Sequence, residues 1–308
     1  MAKGSLLVTG SNGFVGQHLV KYLADRGHNV IASSRSLLKF NHPNITTVQV
    51  ADLTTDFDWH PLLSRCDTVV HLAGLAHKFA DDHLYNLVNV EAVEALTQAA
   101  RACGTKHIVY VSSIAAQSGS YSDVNLTEAD TPKPSNAYGR SKLAAEVIVR
   151  AADVPFTILR PVVMYGAQEK GNFALMRRCA RLPIPLPFGG LCAPRSVLSI
   201  SNFSSAVDFV LKDSRSIGET FIVSDPDTVS VAEMITAYRT VLGKRPNLLQ
   251  VPEKFIKAAF YLLGQQGMWE RVGCPLLAPP TKLLQMGWRP EQASFSRRDI
   301  FSEKKGGG

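Results

Sequence analysis

Short runs of β-branched and other apolar residues alternate along the first half of the chain with segments whose apolar positions recur every three to four residues. The runs SLLVT (5–9), NVIAS (29–33), ITTVQV (45–50), TVVHLA (68–73), HIVYVSS (107–113) and FTILR (156–160) predict strands. Between them, LYNLVNVEAVEALTQAARAC (84–103) and AYGRSKLAAEVIVRAA (137–152) carry the helical period. Such alternation predicts an α/β fold, a parallel doubly wound sheet with helices on both faces. After Pro161 the pattern breaks into loop-forming sequence such as RLPIPLPFGG (181–190), the mark of a smaller second lobe. The segments 202–213 and 220–224 read as a helix and a strand returning to the sheet. The resulting division is a sheet domain over 1–165 and about 196–225, a lobe over about 166–195 and 226–303, and a tail at 304–308.

Composition narrows the ligand. The chain has 308 residues, 45% of them apolar and only 19% charged, enough for a sizeable core and too few for widespread disorder. Its net charge is +7, yet Lys and Arg are scattered, which favours a phosphate-bearing small molecule over nucleic acid. Five cysteines are widely spaced with no CxxC, so neither a metal site nor a disulfide framework is expected. They read as reduced thiols of a cytoplasmic protein, and a strand starting by Ser5 leaves no room for a signal peptide. FIKAAFYLLGQQGMW (255–269) is too short and interrupted to span a bilayer. Its spacing suits a helix packed on the lobe, with peripheral membrane contact as the alternative.

The chemistry begins at TGSNGFVG. At a strand-to-helix turn, Gly10 permits the tight bend, Gly13 lets a pyrophosphate approach the backbone, and Gly16 lets the helix pack close. Asn12, Phe14 and Val15 complete this predicted cofactor contact. The second strand ends with Ser34 and Arg35 where an NAD-binding acid would stand, which favours the 2′-phosphate of NADP, with NAD as the alternative. Asp52, followed by Leu53, is placed to accept from the adenine amino group, and Leu72, Ala73 and Gly74 to floor the cofactor.

Tyr138 and Lys142 stand four apart on a predicted helix and share a face. A tyrosine with an unperturbed pKa of ~10 needs help to move protons near neutrality. A neighbouring ammonium is expected to supply it by favouring the phenolate. Ser113, just beyond a strand end, adds a hydroxyl for the substrate oxygen.

Together TGSNGFVG, DL (52–53), HLAG, NVEAVEAL, VSS, YGRSK, LRPVVMYG and RSVLSI resemble the extended short-chain dehydrogenase/reductase family, nucleotide-sugar branch, over nearly the whole chain. The resemblance implies a Rossmann-type fold and a catalytic triad of Ser113, Tyr138 and Lys142. It places Asn89 near the active site as a substrate contact, and Pro161 through Val163 against the nicotinamide. It also implies substrate contacts at Asn172, Pro187, Phe188 and Arg195, with His77 facing the sugar or lying in a solvated loop. Ile114, Ala115 and Ala116 stand where sugar dehydratases carry an Asp-Glu pair, which argues against dehydration. The chain most resembles O-antigen reductases acting on UDP-4-keto-6-deoxy-N-acetylhexosamines with NADPH. The resemblance thus implies a UDP-sugar substrate and UDP-QuiNAc or UDP-FucNAc as product. The alternatives are a UDP-hexose or UDP-N-acetylhexosamine 4-epimerase with bound NAD, and a non-catalytic NADP sensor. A homodimer is the expected assembly, with no nucleic-acid partner and no integral membrane segment.

Overall fold

The computed structural model describes residues 4–36, 38–53, 57–76, 81–166 and 171–295, the side chains of 171 and 172 excepted. In chain order the elements are β1 (Ser5–Thr9), α1 (Phe14–Asp25), β2 (Asn29–Ser34), β3 (Ile45–Gln49), α2 (His60–Leu63), β4 (Thr68–His71) and α3 (Asp82–Asn86). A π turn, Leu87–Glu91, joins α3 to α4 (Ala92–Cys103). Then come β5 (His107–Val111), α5 (Ile114–Gln117), α6 (Ala137–Ala151), β6 (Phe156–Pro161), β7 (Met164–Tyr165) and α7 (Gly171–Arg181). The chain continues through β8 (Leu198–Ser199), α8 (Ile200–Lys212), β9 (Thr220–Val223), α9 (Val231–Val241), α10 (Glu253–Leu262), α11 (Gln266–Val272) and α12 (Thr281–Met286).

Two compact units result, one of 1–119, 128–161 and 204–222, the other of 120–127, 162–203 and 223–308. The first holds a seven-stranded Rossmann-type sheet in the order β3-β2-β1-β4-β5-β6-β9. Strand pairs from β3 through β6 are all parallel. Every residue of β5 is buried, as a central parallel strand covered on both faces must be, whereas β3 at the sheet edge is half-exposed. Leu7, Ile31, Trp59, Leu96, Tyr110 and Val149 are among the side chains that fill this core. Strand order reverses between β1 and β4, so their carboxyl ends open the crevice where doubly wound sheets bind ligands.

The second unit is built differently. Its core joins Tyr165, Phe173, Val197, Tyr238, Trp269 and Phe295 around the two-stranded β7-β8 pair. Buried polar hubs replace a large sheet. Arg239 donates to the carbonyls of Leu182, Ile184, Pro246 and Asn247. Asp225 accepts from Tyr165 Oη (2.8 Å), the Ser199 amide (3.0 Å) and Asn202 Nδ2 (2.7 Å).

Two sequence-based boundaries move. Residues 120–127 group with the second unit because the amides of Ser122 and Leu126 donate to the carbonyls of Pro275 and Leu277. Residues 196–203 do likewise, Leu198 pairing with Met164. The helix read as continuous over 84–103 is interrupted by the π turn.

Candidate active site

The turn after β1 is built by close approach. Gly10 has φ +68° and lies against the backbone of Leu72 and Ala73, where a Cβ would meet the Ala73 nitrogen at 2.9 Å. Gly16 sits in the first turn of α1 with the Gly10 carbonyl 2.3 Å from where its Cβ would stand, so any side chain would lift the helix off the loop. Gly13 caps α1 without a side-chain acceptor and is exposed. Helix first-turn N–H groups have no intrahelical partner, so those of Phe14, Val15 and Gly16 form an anion-binding end. The residues present therefore fit a dinucleotide pyrophosphate. The Asn12 carbonyl accepts from Gln17 Nε2 at 2.9 Å, which fixes the bend.

Thr9 locks the neighbouring loop. Its hydroxyl oxygen accepts from the amides of Leu72 and Ala73, both at 3.1 Å, and its hydrogen is thereby directed to His71 Nδ1, 3.1 Å away. Burial drives the His71 pKa down to about 3, with the Lys142 charge adding to the effect, so the ring stays neutral. Leu72 and Ala73 are half-buried beyond it and Gly74 is exposed.

At the end of β2, Ser34 is buried and its hydroxyl donates to the Ser36 carbonyl at 2.7 Å. Arg35 is exposed and pairs through Nη1 with Asp52 Oδ2 at 2.8 Å. The predicted adenine acceptor and the predicted phosphate cation thus stand side by side. Leu53 packs on the core.

Ser113 caps α5, its hydroxyl accepting from the Ala115 amide at 3.2 Å, and it is hydrogen-bonded to Tyr138. Asn136 caps α6 by accepting from the Gly139 amide at 2.8 Å. Gly139 allows α6 to press on α5, since a Cβ there would stand 2.2 Å from the Ala115 carbonyl oxygen. Tyr138 is half-buried, with the Tyr85 ring centroid 6.1 Å away. Burial pushes the phenol up to about 12 against the pull of the Ser113 hydrogen bond. This corrects the expectation of a lowered value. The Lys142 ammonium is bonded to the Val111 carbonyl at 2.9 Å, 4.9 Å over the Tyr110 ring, and burial holds it down at about 8 while Glu146 opposes. An ammonium has three donors, so two remain for a ligand.

Asn89, in the π turn, is buried. Its Oδ1 accepts from the Leu75 amide (2.7 Å), and its Nδ2 donates to the Leu75 carbonyl (3.1 Å) and Ser141 Oγ (3.0 Å). With its amide so committed, Asn89 ties the loop after β4 to α6. Gly74 makes room for that tie, its position lying 2.9 Å from Asn89 Oδ1 and 3.4 Å from Lys142 Nζ on a built Cβ.

Beneath the site lies a group that sequence reasoning missed. Glu146 accepts from Ser112 Oγ (2.6 Å) and from Arg160 Nε (2.9 Å) and Nη2 (2.6 Å). Arg160 also donates to Gln117 Oε1, whose amide donates to the Asp130 carbonyl. Both members of the ion pair are almost fully buried. Glu146 follows Lys142 by four and Tyr138 by eight, a single helical face that the spacing already held.

In the second unit, Arg195 is buried, its Nη atoms donating to the carbonyls of Ser120, Glu270 and Cys274, and burial lowers it to about 10. A guanidinium so placed ties three chain segments together. Pro187 is exposed and Phe188 packs on the unit's core. Pro161 ends β6, and Val163 beyond it is exposed. His77 and the Asn172 side chain lie outside the described residues. Among the described residues, no cluster of His, Cys, Asp or Glu could hold a metal, and no helix is long and apolar enough to cross a membrane.

Comparison with known proteins agrees with this geometry. Residues 6–224 match the NAD dependent epimerase/dehydratase family. A UDP-glucose 4-epimerase of Vibrio cholerae is 30% identical over 301 residues, covering 94% of this chain and 91% of the relative. A ceramide reductase of Caulobacter vibrioides is 29% identical over 304 residues, covering 96% and 89%. Among solved structures, MoeE5 in complex with UDP-glucuronic acid and NAD superposes with a TM-score of 0.76 at 23% identity, covering 96% of both chains, and shows the same fold.

Proposed function

We propose that this chain, which belongs to the NAD dependent epimerase/dehydratase family, is an NADPH-dependent reductase. Its substrate is the C4 ketone of a UDP-linked 4-keto-6-deoxy-N-acetylhexosamine. The product is UDP-QuiNAc or UDP-FucNAc, made in the cytoplasm for surface polysaccharide. The observation that carries this reading is the end of β2, where a buried Ser34 hydroxyl and an exposed Arg35 guanidinium replace a carboxylate. An acid there would hold ribose hydroxyls and repel a 2′-phosphate, whereas a guanidinium binds phosphate through charge-assisted hydrogen bonds. NADPH is the cofactor of net reduction, and the Caulobacter relative is itself named a reductase.

A bound nicotinamide supplies hydride to the ketone carbon. The chain does the rest. Tyr138, held protonated by burial, delivers its proton to the forming alkoxide, so that ketone, hydride and proton sum to the alcohol. Ser113 hydrogen-bonds the same oxygen and aligns it with the phenol. Lys142, anchored on the Val111 carbonyl, turns its remaining donors to the cofactor ribose.

A second reading, a UDP-hexose or UDP-N-acetylhexosamine 4-epimerase retaining NAD, is favoured by the Asp52 carboxylate. It already neutralises Arg35 and so weakens the pull on a 2′-phosphate. The family description and the Vibrio cholerae relative also support it. Two incubations separate the readings, one with UDP-4-keto-6-deoxy-GlcNAc and NADPH and one with UDP-GlcNAc alone, the product of each identified by NMR. Stoichiometric NADPH consumption with a C4 alcohol supports the reductase. Interconversion of UDP-GlcNAc and UDP-GalNAc without net cofactor consumption supports the epimerase. Turnover of neither leaves an NADP-binding sensor.

A further inference from the structure

The two units dispose of their apolar side chains unequally. Among the described residues the first leaves two large hydrophobics exposed, Val147 and Ile217, and the second leaves twelve. The densest group is on α10. That helix is apolar on two faces: Ile256 and Phe260 turn inward, while Phe255, Ala258, Ala259 and Leu262, spaced i, i+3, i+4 and i+7, are all exposed. Leu262 and the following Leu263 are 88% and 74% exposed, values a soluble surface rarely tolerates side by side.

Cations border this stripe. Lys254 Nζ lies 5.2 Å from the Phe255 ring centroid and Lys257 Nζ 5.7 Å from that of Tyr261. Both aliphatic stems therefore run along aromatic surface with the charge at its rim. In the segment before α10, Lys244 and Arg245 precede the exposed Leu249, and Ile184 is exposed in the loop that pairs with that segment through Leu186 and Leu248. Between 242 and 263 four basic residues face a single acid, Glu253. A short helix with an exposed apolar stripe and lysines at its edge is matched by a surface that is anionic outside and apolar beneath.

We propose that the α10 face, with Leu263 and the adjoining Leu249, docks the protein on an anionic lipid bilayer as a peripheral contact. The inference is independent of which nucleotide sugar or cofactor the active site takes. Cosedimentation of the full-length protein with vesicles of equal phosphatidylglycerol and phosphatidylcholine tests it. The protein should pellet with these vesicles, remain in solution with pure phosphatidylcholine, and be released by 1 M salt, where the Debye length is only about 3 Å. Leu262→Ser/Leu263→Ser should weaken binding about tenfold, the side chains being too exposed to matter for folding. Lys254→Glu/Lys257→Glu should weaken it at least as much, at about fivefold per lysine removed from an anionic surface. Both variants should keep the melting temperature and cofactor affinity of the parent. Absence of binding to the mixed vesicles overturns the proposal. So does binding that neither variant changes. A leucine variant that alters only the sedimenting mass of the protein alone would assign the stripe to a second copy and likewise overturn it.

Discussion

Two ion pairs in the first unit have the same chemistry and opposite surroundings. Glu146 and Arg160 are sealed beneath α6, each oxygen of the carboxylate engaged, the guanidinium bonded on to Gln117. Arg35 and Asp52 meet at the tip of the sheet with their side chains 65% and 46% exposed. The buried pair surrenders hydration and recovers it only through complete bonding, so it demands one geometry. The exposed pair keeps its water and gains little from the contact, so it can open to admit a ligand. On the proposed reading, the groups that move the proton rest on the first kind of support, and cofactor choice is exercised by the second.

The contrast is broken most severely at its buried end. Glu146→Gln leaves the Arg160 charge buried without its counter-ion and should destabilise the fold by about 3–5 kcal/mol. Denaturant melts measure this, and the double variant Glu146→Met/Arg160→Leu should recover much of the loss. Next is the chemistry that the network supports. Tyr138→Phe keeps cofactor binding and should lose roughly 10²-fold or more in turnover, read from steady-state NADPH oxidation beside cofactor titration. Turnover near that of the parent would remove Tyr138 from the mechanism.

At the exposed end the effect should be smaller and confined to affinity. Ser34→Asp with Arg35→Asn should shift preference from NADPH toward NADH by about ten- to a hundredfold, as expected for one charge-assisted phosphate contact. Fluorescence titration of both cofactors checks it. A parent protein preferring NAD would favour the epimerase reading. A further effect involves neither pair. Burial lowers His71 to about 3 and His107 to about 4 from an ordinary 6.5. Below pH 6.5 the unfolded chain therefore takes up protons that the folded one refuses. Stability is unaffected by these groups above that pH and falls as pH drops toward 4, by at most about 1.4 kcal/mol per pH unit for each histidine. Urea unfolding between pH 7.5 and 4.5 measures the slope, and His107→Gln should remove part of it.

Much of this was legible in the sequence, for identifiable reasons. Strand and helix periods marked the alternation, and glycine spacing marked the β1-α1 turn, because those patterns are local. Tyr138 and Lys142 were legible because four residues make one helical turn. The structural work of Arg195 was not legible, because its carbonyl partners lie 75 and 79 residues away and leave no mark beside it. For Asn89 only the fold reveals that Leu75 and Ser141 engage its amide. Glu146 and Arg160 looked like ordinary charges of a helix and a strand end. The shared face of Tyr138, Lys142 and Glu146 was the signal that could have found them.

The π turn at Leu87–Glu91 amounts to one residue of slack in an otherwise regular rod. Excising a single residue there would restore an unbroken α-helix and turn everything upstream by about 100° relative to α4. Backbone regularity would improve while the carboxamide at position 89 swung off Leu75 and Ser141, unfastening the β4 loop from α6. The chain length between β4 and α4 thus sets how the β4 loop is fastened to α6, and on the proposed reading an insertion or deletion there would alter the alignment of Tyr138 and Lys142 even where no side chain changes.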